Sequence, residues 1–383
     1  MTSLFWILLA LVVYVYAGYP LLLALVRGLG GHRRVAIDEQ ALPPVTLVVS
    51  AFNEAAVIGE KIENCLDLDY PSDKLQIVVV SDASDDGTDE VVKGYAARGV
   101  DLLRMLDRGG KTLGLNAAVA GAHGEVVVFS DANAMYGRDV IHKLVRNFAD
   151  PAVGAAVGES TYVNPEVESE RSEGLYWRYE TAIKRLESSV GSVVGGDGAI
   201  YAVRKSLYIP MRADALSDFV NPLQVVQAGH RCVYEPAARS YERAADNFSK
   251  EFRRKVRIVN RAWRALWRMN ALLNPFRYGF FAFKLVSHKL LRWLVPAFLL
   301  GLLVANVAVL DVGPVYRFAL VGQIAFYLLA FAGYFLRRRA SMPVLVSVPY
   351  YFCLVNIAAA LGIFDAFRGK TYTTWATART PGT

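Results

Sequence analysis

Uncharged apolar residues gather at the two ends of the chain, and the stretch between them alternates short apolar runs with polar turns. Leu4 to Val26 runs 23 residues without a charge, about what a ~30 Å hydrocarbon core requires of a helix. Three more uncharged runs, 293–310, 318–336 and 341–364, come late in the sequence and are also long enough to cross. In the middle, Val45–Ser50, Leu75–Ser81 and Val126–Ser130 are short, largely β-branched runs, and Ala56–Cys65 has a helical pattern. Continuous apolar strands alternating with helices predict an α/β domain whose parallel sheet is covered on both faces. Ligands of such sheets bind beyond the carboxyl ends of the strands. Each of these strands ends in a polar or acidic turn, Asn53-Glu54, Asp82 to Asp86, or Asp131-Ala132-Asn133, so the three turns should line one crevice.

The expected order is a membrane helix over 1–27, an α/β domain over 43–245, amphipathic interfacial helices over 246–292, membrane helices over 293–364 and a tail over 365–383. Composition agrees: of 383 residues, 54% are hydrophobic and 20% charged, against ~45–50% and ~25% in soluble domains. That excludes a disordered chain and argues against an ordinary cytosolic enzyme. Cys65, Cys232 and Cys353 are too few and too scattered for a disulfide framework or a zinc site, and the five histidines show no metal spacing.

Charge placement adds an orientation. Arg27, Arg33 and Arg34 follow the first apolar run, Lys284, Lys289 and Arg292 precede the second, and Arg337, Arg338 and Arg339 follow the third. The positive-inside rule therefore places the α/β domain in the cytoplasm, on a multi-pass inner-membrane protein. If 341–364 also crosses, Arg368, Lys370 and Arg379 lie outside; a non-crossing last segment keeps them inside. The sequence leaves both open. Within 249–272, Phe252, Val256, Val259, Trp263 and Leu266 make one helical face, with Arg254, Arg257, Arg261, Arg264 and Arg268 on the other. This predicts a helix lying on anionic membrane lipid rather than on nucleic acid, because apolar spans follow it closely.

Five segments in order, VVVSDASDDGTDE, GGKTLGLNAAV, FSDANA, GGDGAIYAVRK and LSDFVNPL, resemble the successive motifs of inverting family 2 glycosyltransferases. With the flanking helices, the chain resembles the membrane branch that includes cellulose, chitin, hyaluronan and poly-N-acetylglucosamine synthases. The resemblance implies a GT-A, Rossmann-like fold inserted between transmembrane helices, and a UDP-sugar donor. It also implies Mg²⁺ or Mn²⁺ and transfer with inversion to a lipid-linked or polysaccharide acceptor. It puts Asn53, Glu54 and Asp82 at the donor nucleotide, and Lys111 near the phosphates at a helix start, where the dipole favours anions. Asp131 and Asn133 take the place of the metal-binding Asp-x-Asp pair; oxygen ligands suit either ion, although Asn133 offers only a neutral carbonyl. Gly196 and Asp197 fall at the acceptor and donor sugar, and Asp218 matches the general base.

Arg254 and Arg257 fall on the family's Gln-x-x-Arg-Trp segment, with Arg for Gln and Ile258 for Trp. Arg257 keeps the charge for diphosphate, and Trp263 is the aromatic residue further along. Losing the Trp platform favours adding one or a few sugars. The alternatives are a processive synthase that threads its own polymer and a catalytically silent scaffold. The tail from Lys370 through Trp375 to Arg379 resembles a C-terminal Trp and Arg motif of relatives.

Overall fold

β1 (Val45–Ala51) lies inside an eight-stranded sheet whose order is β3-β2-β1-β4-β7-β6-β8-β5. The other strands are β2 (Leu75–Ser81), β3 (Val100–Arg104), β4 (Val126–Asp131), β5 (Met135–Tyr136), β6 (Val153–Tyr162), β7 (Ile200–Arg204) and β8 (Arg231–Glu242). The computed structural model describes residues 1–162, 168–242, 248–337 and 342–374. Arg338, Arg339, Trp375 and Arg379 lie outside the described residues.

The strands β3, β2, β1 and β4 are mutually parallel, as the alternating pattern predicts. Beyond β4 the expectation of a wholly parallel sheet fails. β7 runs antiparallel to both β4 and β6, β8 is parallel to β6, and β5 is antiparallel to β8. The reversal has a consequence for the site: it pairs Ile200, at the start of β7, with Ser130, at the end of β4. The turn that precedes β7 is thereby delivered to the acidic end of β4. Apolar strand residues are buried on both faces, Leu47, Val49 and Val128 in one core and Val48, Val127 and Phe129 in the other. Burial of each such side chain contributes about 1.5–3 kcal/mol.

Among the described residues, four helices are long and apolar enough to cross a membrane: Thr2–Gly31, Phe280–Val307, Pro314–Leu336 and Val344–Phe367. The second begins at Phe280, whereas the sequence pattern starts the span at Trp293. Its early charges are met inside the protein. Lys284 donates to the carbonyls of Glu187 and Ser192, Arg292 pairs with Glu180, and His288 lies between Glu180 and Glu187. With those partners in place, the helix continues through residues that would otherwise interrupt it.

The basic helix, Phe248–Arg268, corrects a second expectation. Arg261, Arg264 and Arg268, expected to face lipid, turn toward the α/β domain. Arg261, only 7% exposed, donates to Thr112 Oγ1 at 2.9 Å and to the carbonyl of Ala215. Arg264 and Arg268 reach the Asp214 carboxylate at 3.3 and 2.6 Å. A nearly buried carboxylate and buried carbonyls offer fixed, weakly screened partners, which exposed headgroups do not. These charges hold Asp214 down to about 2, chiefly through the Arg268 hydrogen bond.

The apolar face packs along Val344–Phe367. The Phe248 ring lies 5.0 Å from Tyr350, Asn260 donates to the Gly362 carbonyl at 3.2 Å, and Trp263 lies 5.9 Å from Phe367. The two helices thus run side by side in the same direction, so whatever attitude the charged one takes to a bilayer, its neighbour shares. Asn260 also donates to the Lys370 carbonyl, and the Thr373 carbonyl lies against Gly110. Of the two placements left open for the tail, the described part takes the one beside the α/β domain.

Candidate active site

The chain order puts β4 on the opposite side of β1 from β2, and a crevice opens where the order reverses. Asn53 and Ala83, at the ends of β1 and β2, have φ of 53° and 57°. Such values are uncommon for residues other than glycine and cluster where function fixes the backbone. Asn53 exchanges hydrogen bonds with Asp85 at 2.7 and 3.0 Å, and the Glu54 amide donates to Thr88 at 2.9 Å. These contacts tie the two turns together. Asp82, 2% exposed, accepts from the amides of Gly109 and Gly110 at 2.8 and 3.0 Å. Its carboxylate holds the loop that starts the helix Lys111–Ala120, and Gly110, with φ of 87°, makes that turn.

Lys111 is the hub. Its ammonium pairs with the Asp131 carboxylate and donates to the Gly198 carbonyl at 3.0 Å. A Cβ placed on Gly198 would lie 3.6 Å from both Lys111 Nζ and Asp218 Oδ2. Asp218, in the first turn of the helix Ser217–Gln227, therefore faces the same small volume. Its pKa is raised, first by burial and then by Asp197 and Asp131, while Lys111 opposes them. Asp197 is 7% exposed, with one oxygen 3.6 Å from Lys184 and that oxygen lacking a hydrogen bond. Asp82, Lys111, Asp131, Asp197, Gly196 and Asp218 are thus brought to one crevice.

Arg257 is half-buried, and burial, Arg261 and Arg254 push it down to about 10 against the pull of Asp131. Among the described residues its guanidinium has no hydrogen bond or ion pair. Arg254 is bound to Glu251 at 2.6 Å. Trp263 sits in an aromatic group with Trp267, Trp293 and Phe367, behind the crevice rather than on its wall. One site residue escapes the sequence reading. Glu242, at the end of β8, is pushed up to about 8 by burial and by the charges of Asp197 and Asp131. No motif marks it; the pairing of β8 with β6 and β5 carries it to the crevice.

These carboxylates suit a divalent ion. Asp131, Asn133 and Glu242 offer the oxygen donors that hard divalent ions take, and Glu242, raised first by burial, is raised further by the neighbouring Asp197 and Asp131. Among the described residues no group of three or more His, Cys, Asp or Glu side chains could hold an ion unaided. Substrate phosphates would have to complete the coordination shell.

A mixed sheet with a lysine and several acids gathered at its reversal is the architecture of a GT-A-like α/β domain. Residues 46–207 match the family described as glycosyl transferase family 2. Beta-monoglucosyldiacylglycerol synthase of Synechocystis sp. is 34% identical over 129 residues, 33% of this chain and 27% of the relative. Poly-beta-1,6-N-acetyl-D-glucosamine synthase of Staphylococcus aureus is 23% identical over 240 residues, 59% and 56% of the two chains. The probable glycosyltransferase YdaM of Bacillus subtilis is 26% identical over 235 residues, 56% and 54%. The matches thus span about half the length, or less, of these curated relatives. The mannosyltransferase PcManGT from Pyrobaculum calidifontis, solved with GDP-Man and Mn²⁺, shares the fold at a TM-score of 0.72. It is 23% identical, over 96% of this chain and 99% of that one.

Proposed function

We propose that the chain is a membrane-bound inverting glycosyltransferase that moves a sugar from a UDP-sugar to a lipid-linked or glycan acceptor. The α/β domain would work on the cytoplasmic side of the inner membrane. One observation carries the reading: Lys111, Asp131 and Asp218 meet around Gly198, where a departing diphosphate and an acceptor hydroxyl would both need charge.

Asp82 would hold the Gly109-Gly110 backbone beneath the nucleotide, with Asn53 and Glu54 fixing the adjoining turn. Lys111 and Arg257 would take the diphosphate; Arg257 is a half-buried cation without a partner of its own, suited to charge-assisted contact with phosphate. Asp131, Asn133 and Glu242 would hold Mg²⁺ or Mn²⁺, which when bound neutralises diphosphate charge. The Asp218 carboxylate takes the proton of the acceptor hydroxyl as its oxygen bonds to the anomeric carbon. The bond from that carbon to the diphosphate breaks at the same time, and its electron pair leaves with the nucleoside diphosphate. Burial keeps Asp218 basic enough for the task.

The test is to incubate membranes holding the protein with a panel of nucleotide sugars and Mg²⁺ or Mn²⁺. Release of nucleoside diphosphate together with a glycosylated membrane product is expected for at least one donor. No release from any donor would overturn the proposal.

A further inference from the structure

Between the α/β domain and the apolar helices lies a cavity of about 430 Å³. Asp218 and Gly196 form part of its wall, and Phe219, Trp293, Phe352 and Val355 make it largely apolar. Most charges at its edge are matched. Arg292 and His288 hold Glu180; His288, the Tyr19 hydroxyl and the Val194 amide hold Glu187; and Lys184 faces Asp197. Lys284 is engaged by carbonyls. Lys289 is the exception. Its ammonium lines the cavity beside Gly195, where a Cβ would lie 3.9 Å from Nζ. Among the described residues no hydrogen bond or ion pair reaches it. Glu180 and Glu187 attract it from a distance, but both carboxylates are already engaged by Arg292, His288 and Tyr19, so the ammonium keeps its hydrogen-bonding capacity for an incoming anion.

The turn from Gly195 to Gly198 gives this charge a meaning. Lys289 stands at its first residue, Lys111 at its last, and Asp218 packs along it, its carbonyl accepting from the Gly196 amide at 2.6 Å. Fully extended, such a segment spans roughly 10 Å. Two cations therefore stand at the two ends of a segment that reaches at most about 10 Å, with Asp218 packed along it, and only Lys111 faces Asp131.

We propose that the acceptor is an anionic amphiphile. Its phosphate or carboxylate rests on Lys289, its apolar chain lies along Phe352 and Val355, and its reacting hydroxyl meets Asp218. This rests on the reading of Asp218 as the base. The anionic group is distinct from the attacking oxygen, because a phosphate oxygen already ionised has no proton for Asp218 to remove. The acceptor therefore carries a free hydroxyl within roughly 10 Å of its acidic group.

The test follows thermal unfolding of the purified full chain in nonionic detergent. Its probes are dioleoyl phosphatidylglycerol, uncharged dioleoylglycerol and glycerol 3-phosphate. Phosphatidylglycerol should raise the Tm, while neither the uncharged lipid nor the free phosphate does so at equal concentration. Lys289→Met should weaken the phosphatidylglycerol response at least about tenfold, as loss of a charge-assisted hydrogen bond predicts, and Lys289→Arg should retain it. Should Lys289→Met fail to fold, decyl phosphate but not decanol should displace pyrene-labelled phosphatidylglycerol from the wild type. Equal stabilisation by dioleoylglycerol or by glycerol 3-phosphate, an unchanged response in Lys289→Met, or equal displacement by decanol would overturn the proposal. UDP with Mn²⁺ serves as the separate control. If it stabilises the wild type and Lys289→Met alike while the lipid effect is missing, the acceptor inference alone fails; if it stabilises neither, the donor-site reading fails.

Discussion

The backbone amide of Gly196 donates to the carbonyl of Asp218 at 2.6 Å. This bond fixes the acidic end of one helix to the turn before β7, and it leaves no room for a side chain on the glycine. A Cβ on Gly196 would stand 2.6 Å from that carbonyl oxygen. Gly196→Ala should therefore displace Asp218 and lower kcat by about 100-fold, the scale of a 1 Å misplacement. Nucleotide affinity, measured by titration calorimetry, should change less than about threefold.

The pH profile should reveal the same carboxylate. Asp218 has a raised pKa, from burial first and from Asp197 and Asp131 next. A base works only when ionised, so kcat/KM should fall as pH drops through that raised value, above the usual carboxylate range. Lys111 opposes the shift. In Lys111→Met the residual activity should lose its acidic limb at still higher pH. An unmoved limb would show that another group titrates.

Asp214 is the anchor of the basic helix. Its side chain is 8% exposed, between Arg264 and Arg268, with Arg212 alongside. Asp214→Asn should cost ~2 kcal/mol, between the limits for exposed and buried pairs, and thermal unfolding would measure it. The folded-state value of about 2 lies below the usual carboxylate range. This contribution is therefore full above the unfolded-state pKa of ~3.9 and is lost as pH falls through about 2.

How far these relationships could be read in advance depended on their reach along the chain. The turns after β1, β2 and β4 stood out because acids directly follow apolar runs, and the parallel half of the sheet followed from the same runs. Helical periodicity separated the two faces of the basic helix but not what covers each. Arg268 meets Asp214 across more than fifty positions, so lipid looked the natural partner. Lys284 and Arg292 looked like the border of a span because their partners, Glu187, Ser192 and Glu180, lie about a hundred residues earlier. Glu242 sits in no motif at all.

The helix pair makes a topological prediction. A Cβ on Gly362 would meet the Val256 carbonyl at 2.7 Å, so Gly362→Val should pry Val344–Phe367 from the basic helix and lower the Tm. In sealed vesicles, Thr373→Cys and Asp101→Cys should react with an impermeant maleimide from the same face, whereas Val312→Cys reacts from the opposite one. Labelling of Thr373→Cys with Val312→Cys would contradict the side-by-side arrangement.

The central claim is that one carboxylate, Asp218, removes the acceptor's proton beside a donor site that it does not build. The direct measurement compares wild type and Asp218→Asn in proteoliposomes, following nucleotide binding and sugar transfer with whichever donor the wild type uses. The account predicts nucleotide affinity within about threefold of wild type and transfer reduced by at least ~1,000-fold. Turnover at a wild-type rate in Asp218→Asn would contradict it.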